Sequence, residues 1–220
     1  MSSPRISVII PTYNGEKTIA EAIASVRGEG DDIEVVVVND GSTDRTVDIL
    51  ASISGITVVH QQNAGPSVAR NTGLDHATGS RIAFLDDDDL AMENRLATLS
   101  VMLDDEPSAL VALGRSVFRV ENEEESRPPE PLLMYHLGAA LFRREYFERF
   151  GRFDPALRTS QDIDLFLRGL DAGERFAVTS KLVQTIRRNG ENTTAGRSLR
   201  DLGFMSVLKR SLDRRRGATP

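Results

Sequence analysis

Four consecutive aspartates, Asp86-Asp87-Asp88-Asp89, stand out as the feature of this 220-residue chain best able to do chemistry. Like charges a few ångströms apart repel and raise one another's pKa, so a positive partner is expected among them. A hard divalent cation with oxygen ligands, Mg²⁺ or Mn²⁺, fits that requirement, held by one or two carboxylates and by substrate phosphates. The competing reading is a solvated acidic turn that caps the next helix. Asp40, inside Asn39-Asp40-Gly41-Ser42, follows an apolar run. It reads as a turn residue before a helix cap, placed also to accept hydrogen bonds from a nucleobase or ribose. Tyr13, in Pro11-Thr12-Tyr13-Asn14, can lay its ring against a base. A bound diphosphate would need arginine or lysine, and Arg70, just after Gly65-Pro66, is the evident donor. Asp162 opens an amphipathic segment in which Leu165, Phe166, Gly169 and Leu170 follow at helical spacing. It reads either as a general base facing a cleft or as a residue serving the helix dipole.

These residues need elements to position them. Ile6–Ile10, Ile33–Val38, Ile56–His60 and Arg81–Leu85 are short apolar runs suited to strands covered on both faces. Helical patterns lie between them, around Ile19–Val26, Thr43–Ile53 and Ser67–Ala77. Such alternation predicts an α/β fold, a mostly parallel sheet flanked by helices on both faces, in a single domain. Ligands of such sheets sit at the carboxyl ends of the strands. Three of the predicted strands stop at Pro11–Gly15, at Asn39–Ser42 and at the aspartates.

The second half is less regular. Ala109–Leu113 and Ser116–Val120 read as two strands joined around Gly114, and Glu121–Pro131 as an acidic, proline-rich loop. Tyr135–Phe142 is apolar, and Arg144–Phe150 and Gln161–Leu170 are helical. Two short strands near Phe176–Val178 and Leu182–Ile186 precede a last helix, Ser198–Leu212.

Composition excludes several chemistries. The chain has no cysteine, hence no disulfide, thiolate metal site or cysteine nucleophile. His60, His76 and His136 form no ligand spacing, and His60 and His76 read as packing or surface residues. No GxGxxG follows the first strand and no GxxxxGK[ST] occurs, so neither the usual dinucleotide site nor a Walker-type ATPase is supported. The net charge of −6 argues against nucleic acid as a partner. The apolar run at Ile6–Ile10 is too short for a secretory segment or a membrane span, so a cytoplasmic location is expected. The basic stretch from Lys209 to Arg216 reads as a solvated helix tail or as a peripheral membrane contact.

Taken in order, five stretches resemble the family 2 inverting glycosyltransferases of GT-A fold. They are Ser7–Asn14, Val38–Asp44, Asn63–Gly73, Phe84–Asp89, and Phe153-Asp154-Pro155 with Gln161–Leu165. The resemblance implies that Pro11, Thr12, Tyr13, Asn14, Asp40, Arg70 and Asp88 contact the nucleotide sugar. It implies that Asp88 touches ribose or metal, that Asp89 is the principal ligand of Mn²⁺ or Mg²⁺, and that Asp86 and Asp87 support the turn. Asp162 falls at the family's catalytic base. The implied partners are a nucleotide-diphosphate sugar, UDP-linked by expectation, and a carbohydrate or lipid-linked acceptor. Residues up to about 113 would form the nucleotide half and the remainder, with the C-terminal helix, the acceptor half. Two departures stand out: Gln161 where the family often has glutamate, and Asn189 in Arg187-Arg188-Asn189 where it often has histidine. Rival readings are a sugar nucleotidyltransferase, or a degenerate module that binds nucleotide without turnover.

Overall fold

The computed structural model describes residues 5–29, 32–120, 130–157, 159–188 and 203–217. The β-branched runs become β1 (Ile6–Thr12), β2 (Ile33–Asn39), β3 (Thr57–His60) and β4 (Arg81–Phe84), all parallel in the order β3-β2-β1-β4. Every residue of β1 is buried, so both faces of the sheet are covered there, as a continuous apolar run requires. Between the strands run α1 (Ile19–Arg27), α2 (Thr46–Ser52) and α3 (Pro66–His76). Proline at the first position of α3 has no N–H to leave unsatisfied, and Gly65 before it supplies φ 90°. Register aligns the strand ends: Thr12 pairs with Asn39, and Asn39 with His60. The turns that carry the chemistry therefore emerge side by side.

The remaining elements are β5 (Leu90–Ala91), α4 (Arg95–Asp105), β6 (Val111–Val120), β7 (Leu132–Leu133), β8 (Ala140–Arg143), α5 (Glu145–Phe150), α6 (Gln161–Asp171), β9 (Ala177–Arg188) and α7 (Phe204–Arg215). The sheet continues from β4 through β8, β6 and β9 to β5, with β7 added to β6. β8 is antiparallel to both β4 and β6, whereas β6 and β9 are parallel.

Several expectations are corrected here. The two strands expected around Gly114 are one, with a register irregularity from Leu113 to Ser116. Gly114 is there for close approach rather than a turn, since a Cβ on it would lie 2.5 Å from Val183 Cγ2. Phe176–Val178 and Leu182–Ile186 likewise merge into β9. Helix α4 was not expected, although its buried Leu96, Leu99 and Leu103 carry helical spacing. Most of the acidic loop, residues 121–129, lies outside the described residues, as do 198–202 of the expected last helix.

The basic C-terminal run is in part paired with acidic residues rather than a wholly solvated tail. Arg210 pairs with Asp154 at 2.6 Å, and Arg214 and Arg215 converge on Asp171 at 2.9 and 2.7 Å. Arg214 also reaches Asp164 at 3.5 Å, and the Ser211 hydroxyl donates to Asp171 at 2.8 Å. Helix α7 is thus clasped to α6 and to the loop before it. Among the described residues, no helix is long and apolar enough to cross a membrane.

Rings fasten α6 from its other side. Phe84 meets Phe153 edge to face at 5.2 Å, and Phe142 lies 5.5 Å from Phe166 of α6. The approach to α6 is sewn to α3 as well. Asn71 exchanges two hydrogen bonds with the Phe153 backbone, at 2.9 and 3.1 Å, and Ser67 donates to the Leu157 carbonyl at 2.8 Å.

Candidate active site

One cleft of about 810 Å³ lies over the carboxyl ends of β1, β2 and β4. Of the residues expected to bind, Pro11, Thr12, Tyr13, Asp40, Arg70, Asp88, Asp89 and Asp162 all line it; Asn14 does not. Asn14 adopts φ 56° and ties two loops together instead. Its amide donates to Ser42 Oγ at 2.9 Å, and its Oδ1 accepts from the Thr43 amide at 2.8 Å.

The floor of the cleft is stiff. Asp40 accepts from Gln61 Nε2 (2.7 Å) and from the amides of Ala64 (2.9 Å) and Gly65 (2.8 Å), which fixes the loop leading into α3. The Thr12 hydroxyl donates to Asp87 Oδ2 at 2.5 Å. Tyr13, half exposed, keeps its ring open to the cleft.

The aspartates are unequal because a tight turn arranges them. The Asp89 amide donates to the Asp86 carbonyl at 3.1 Å, so the first and fourth residues of the turn come together. Burial pushes Asp86 up, but the Arg70 guanidinium at 2.5 Å, and then His136, outweigh it and hold the carboxyl below its ordinary range. Burial raises Asp87 to about 7, with Asp88 and Asp86 adding to the rise. Asp89 is held well above the usual range by burial and by the charges of Asp86 and Asp88, against donors from the Arg187 amide and Gln184. A proton or a cation must therefore offset charge at this turn.

The aspartate turn has a nitrogen neighbour. Carboxylate oxygens of Asp86 and Asp89 and a ring nitrogen of His136 lie within 4.8 Å of one another. That grouping fits a divalent ion. It differs from the expected pair Asp88 and Asp89, because the turn sets Asp86 beside Asp89. Asp88 lines the cleft next to them. The absence of any ligand spacing among the three histidines left His136 without a role in the sequence. Its only sequence signal is a histidine before the small-residue turn Leu137-Gly138-Ala139, and its approach to the aspartates depends on β8 pairing with β4.

Arg70 is 5% exposed, and Phe153 lies under its guanidinium at 5.6 Å. Only Nη2 is engaged, by Asp86; Nε and Nη1 find no partner among the described residues. Buried donors left open beside a cleft are costly, so they suit an anionic ligand. Asp162 stands on the opposite wall at the start of α6. Burial raises its carboxyl, against the pull of His136 and of the Ile163 amide, which donates to Oδ1 at 2.8 Å. Gln161 beside it also lines the cleft. The Arg187 guanidinium pairs with Glu21, while Asn189 lies outside the described residues.

Residues 7–163 match the family described as Glycosyl transferase family 2. The chain belongs to this family. Its relatives include the uncharacterized glycosyltransferase EpsJ of Bacillus subtilis, 30% identical over 87% of this chain and 63% of the relative. Another is the succinoglycan biosynthesis protein ExoO of Rhizobium meliloti, 34% identical over 80% and 58%. The chain thus spans about three fifths of the length of these relatives. Among solved structures, S. aureus TarS 1-349 superposes with a TM-score of 0.73 at 25% identity, over 96% of this chain and 65% of that one. The mannosyltransferase PcManGT of Pyrobaculum calidifontis, solved with GDP-Man and Mn²⁺, gives 0.69 at 23% identity, over 98% and 64%. The second likeness is one of fold. The mixed, helix-flanked sheet is the GT-A architecture implied by the sequence.

Proposed function

We propose that this family 2 chain is a metal-dependent inverting glycosyltransferase. It moves a sugar from a nucleotide-diphosphate donor, UDP-linked in the first instance, to a hydroxyl of a carbohydrate or lipid-linked acceptor. The observation that carries the reading is the meeting, in one cleft, of an aspartate turn, buried open donors on Arg70 and a raised carboxyl on Asp162. Tyr13 would lie against the base, Asp40 and Asp88 would hold base or ribose, and Arg70 would meet the diphosphate. The half up to about residue 113 would serve the donor and the remainder the acceptor.

Asp162 would take the proton from the acceptor hydroxyl as that oxygen bonds to the anomeric carbon. The bond from this carbon to the diphosphate breaks in the same displacement, and the nucleoside diphosphate departs with the electron pair. A raised pKa makes Asp162 a stronger base, provided the pH is high enough to ionise it. The Arg70 donors would stabilise charge appearing on the departing diphosphate. Asp86, Asp89 and His136 would hold Mn²⁺ or Mg²⁺, which supplies Lewis-acid stabilisation of the diphosphate when bound.

A lipid-linked acceptor would require a membrane-surface contact. On α7 that contact would fall to exposed Met205, Lys209, Leu212 and Arg216, which share one helix face, because Arg210, Arg214 and Arg215 are already paired.

The test is incubation with Mn²⁺ and a panel of nucleotide sugars. Release of a nucleoside diphosphate from one of them is the expected result. Pyrophosphate exchange would instead indicate a nucleotidyltransferase, and donor binding without release a module that does not turn over. Proton NMR of the product then reads the anomeric configuration, expected to be opposite to that of the donor.

A further inference from the structure

Gln184 is fully buried and bridges two of the three candidate metal ligands. Its Nε2 donates to Asp89 Oδ2 at 2.7 Å, and its Oε1 lies 3.0 Å from His136 Nδ1. The Asp89 carboxylate, an acceptor, sets the amide with Nε2 toward it, and Ser116 Oγ then donates to Oε1 at 3.0 Å. Oε1 can only accept, so the proton on the ring is assigned to Nδ1, and Nε2 keeps the lone pair. The Gly138 amide, 3.3 Å from Nδ1, competes for the opposite tautomer, and the shorter contact to the Gln184 oxygen decides between them. Space for the amide comes from Gly138, where a Cβ would sit 2.1 Å from Gln184 Nε2. Two independent features mark the place as built for a ligand pair. One is this clamp; the other is Arg70, whose open buried donors face the same cleft and suit the anion that a cation would accompany.

We infer that His136, held by Gln184, is a nitrogen ligand of the catalytic cation, so that the site prefers Mn²⁺ to Mg²⁺. The inference rests on the proposed metal dependence and names the residue that sets metal choice. Mg²⁺ demands near-ideal oxygen coordination and gives up water reluctantly, whereas transition-metal ions accept imidazole more readily. A histidine whose second nitrogen is held by an amide oxygen has its ring orientation fixed in advance, and loss of such a partner typically costs ten- to a hundredfold in metal affinity. Gln184 is therefore a positioning residue, and His136 the ligand.

The deciding measurement is pulsed electron paramagnetic resonance of the full chain loaded with Mn²⁺, alone and with UDP. Nitrogen modulation from a directly bound imidazole is expected in the wild type. Selective ¹⁵N labelling of histidine should change it, and His136→Asn and His136→Gln should abolish it. Titration of the free Mn²⁺ signal should show at least a tenfold loss of affinity in both variants and in Gln184→Leu, with Mg²⁺ competition changed by less than threefold. Thermal unfolding of each variant confirms that it folds. Absence of histidine nitrogen modulation in the wild type, or unchanged Mn²⁺ affinity in folded His136 variants, would overturn the inference. Neither readout uses sugar transfer, so failure of the proposed activity and failure of the ligand assignment are told apart. Equal transfer with Mg²⁺ and with Mn²⁺ in the wild type would sink the metal preference while leaving the transferase intact.

Discussion

The two walls of the cleft are held by different means. On the β1–β4 side, the site residues sit in turns at the ends of adjacent parallel strands and are held largely by contacts between those turns. Asp40 is held by three donors from residues 61–65, and Asp86 meets Asp89 across a single turn. On the other side, Asp162 and His136 are placed by tertiary packing: ring contacts, the α7 clasp, and a glutamine that reaches across 48 residues of sequence. A wall made of local turns suits a component that is the same in every turnover, such as a nucleotide. A wall made of distant contacts can be altered by changes far from the cleft, which suits a component that differs from one enzyme to another, as the proposed acceptor could.

The sharpest way to test this division is at Asp162. Asp162→Asn should reduce transfer by about a thousandfold, a typical general-base contribution, while UDP affinity by calorimetry stays within twofold. Comparable losses in both would mean that the residue serves the donor wall. Because burial raises its carboxyl, wild-type activity should fall as pH drops through a value above the ordinary carboxylate range of about 4. The base must be ionised to act, so the acidic limb of kcat/KM should lie higher than an unperturbed aspartate would give.

Arg70→Gln comes next. Removing the buried guanidinium should lower transfer by about a hundredfold, the scale for one preorganised donor to a developing charge. This change belongs to the donor wall, so binding of UDP should weaken with it. A loss in transfer with unchanged UDP affinity would break the assignment.

A smaller effect is expected at Tyr13. Tyr13→Ala should weaken UDP binding about tenfold through lost stacking, and Tyr13→Phe should leave it unchanged if, as proposed, the ring and not the hydroxyl meets the base. Equal losses in both variants would point to the hydroxyl instead.

The least change in activity should come from Asp171→Asn, at the far end of α6. Thermal unfolding at pH 7 should show about 2 kcal/mol of lost stability, the scale of a charged hydrogen bond. Burial raises the Asp171 carboxyl, but donors from Arg215, Ser211 and Arg214 outweigh it, and the folded pKa is lowered. Its stabilisation is therefore present above the unfolded value of about 4 and is lost as pH falls through the lowered folded value. The variant should flatten that acid limb of the stability curve. An unchanged limb would mean that the clasp contributes nothing to folding.

The sequence disclosed most of the β1–β4 side and less of the other. Continuous apolar runs ending in polar turns marked the parallel strands, and their register follows from that pattern. Gly114 misled because glycine reads equally as a turn and as a point of close approach, and only the position of Val183 distinguishes them. Helix α4 is legible in the helical spacing of Leu96, Leu99 and Leu103. His136 and Gln184 could not be found in one dimension. They meet through the β6–β8 and β6–β9 pairings, which no local spacing encodes. The arginines of α7 were visible as charge, but their partners on α6 were not.

Helix α6 is fastened in its middle and at one end. Phe166 is held among the rings, Asp171 is gripped by α7, and Asp162 projects from the opposite terminus. Eleven residues make it about 16 Å long, a stiff rod that joins the α7 clasp at one end to the carboxylate at the other. Salt that screens the exposed arginines would loosen the clasp without entering the cleft.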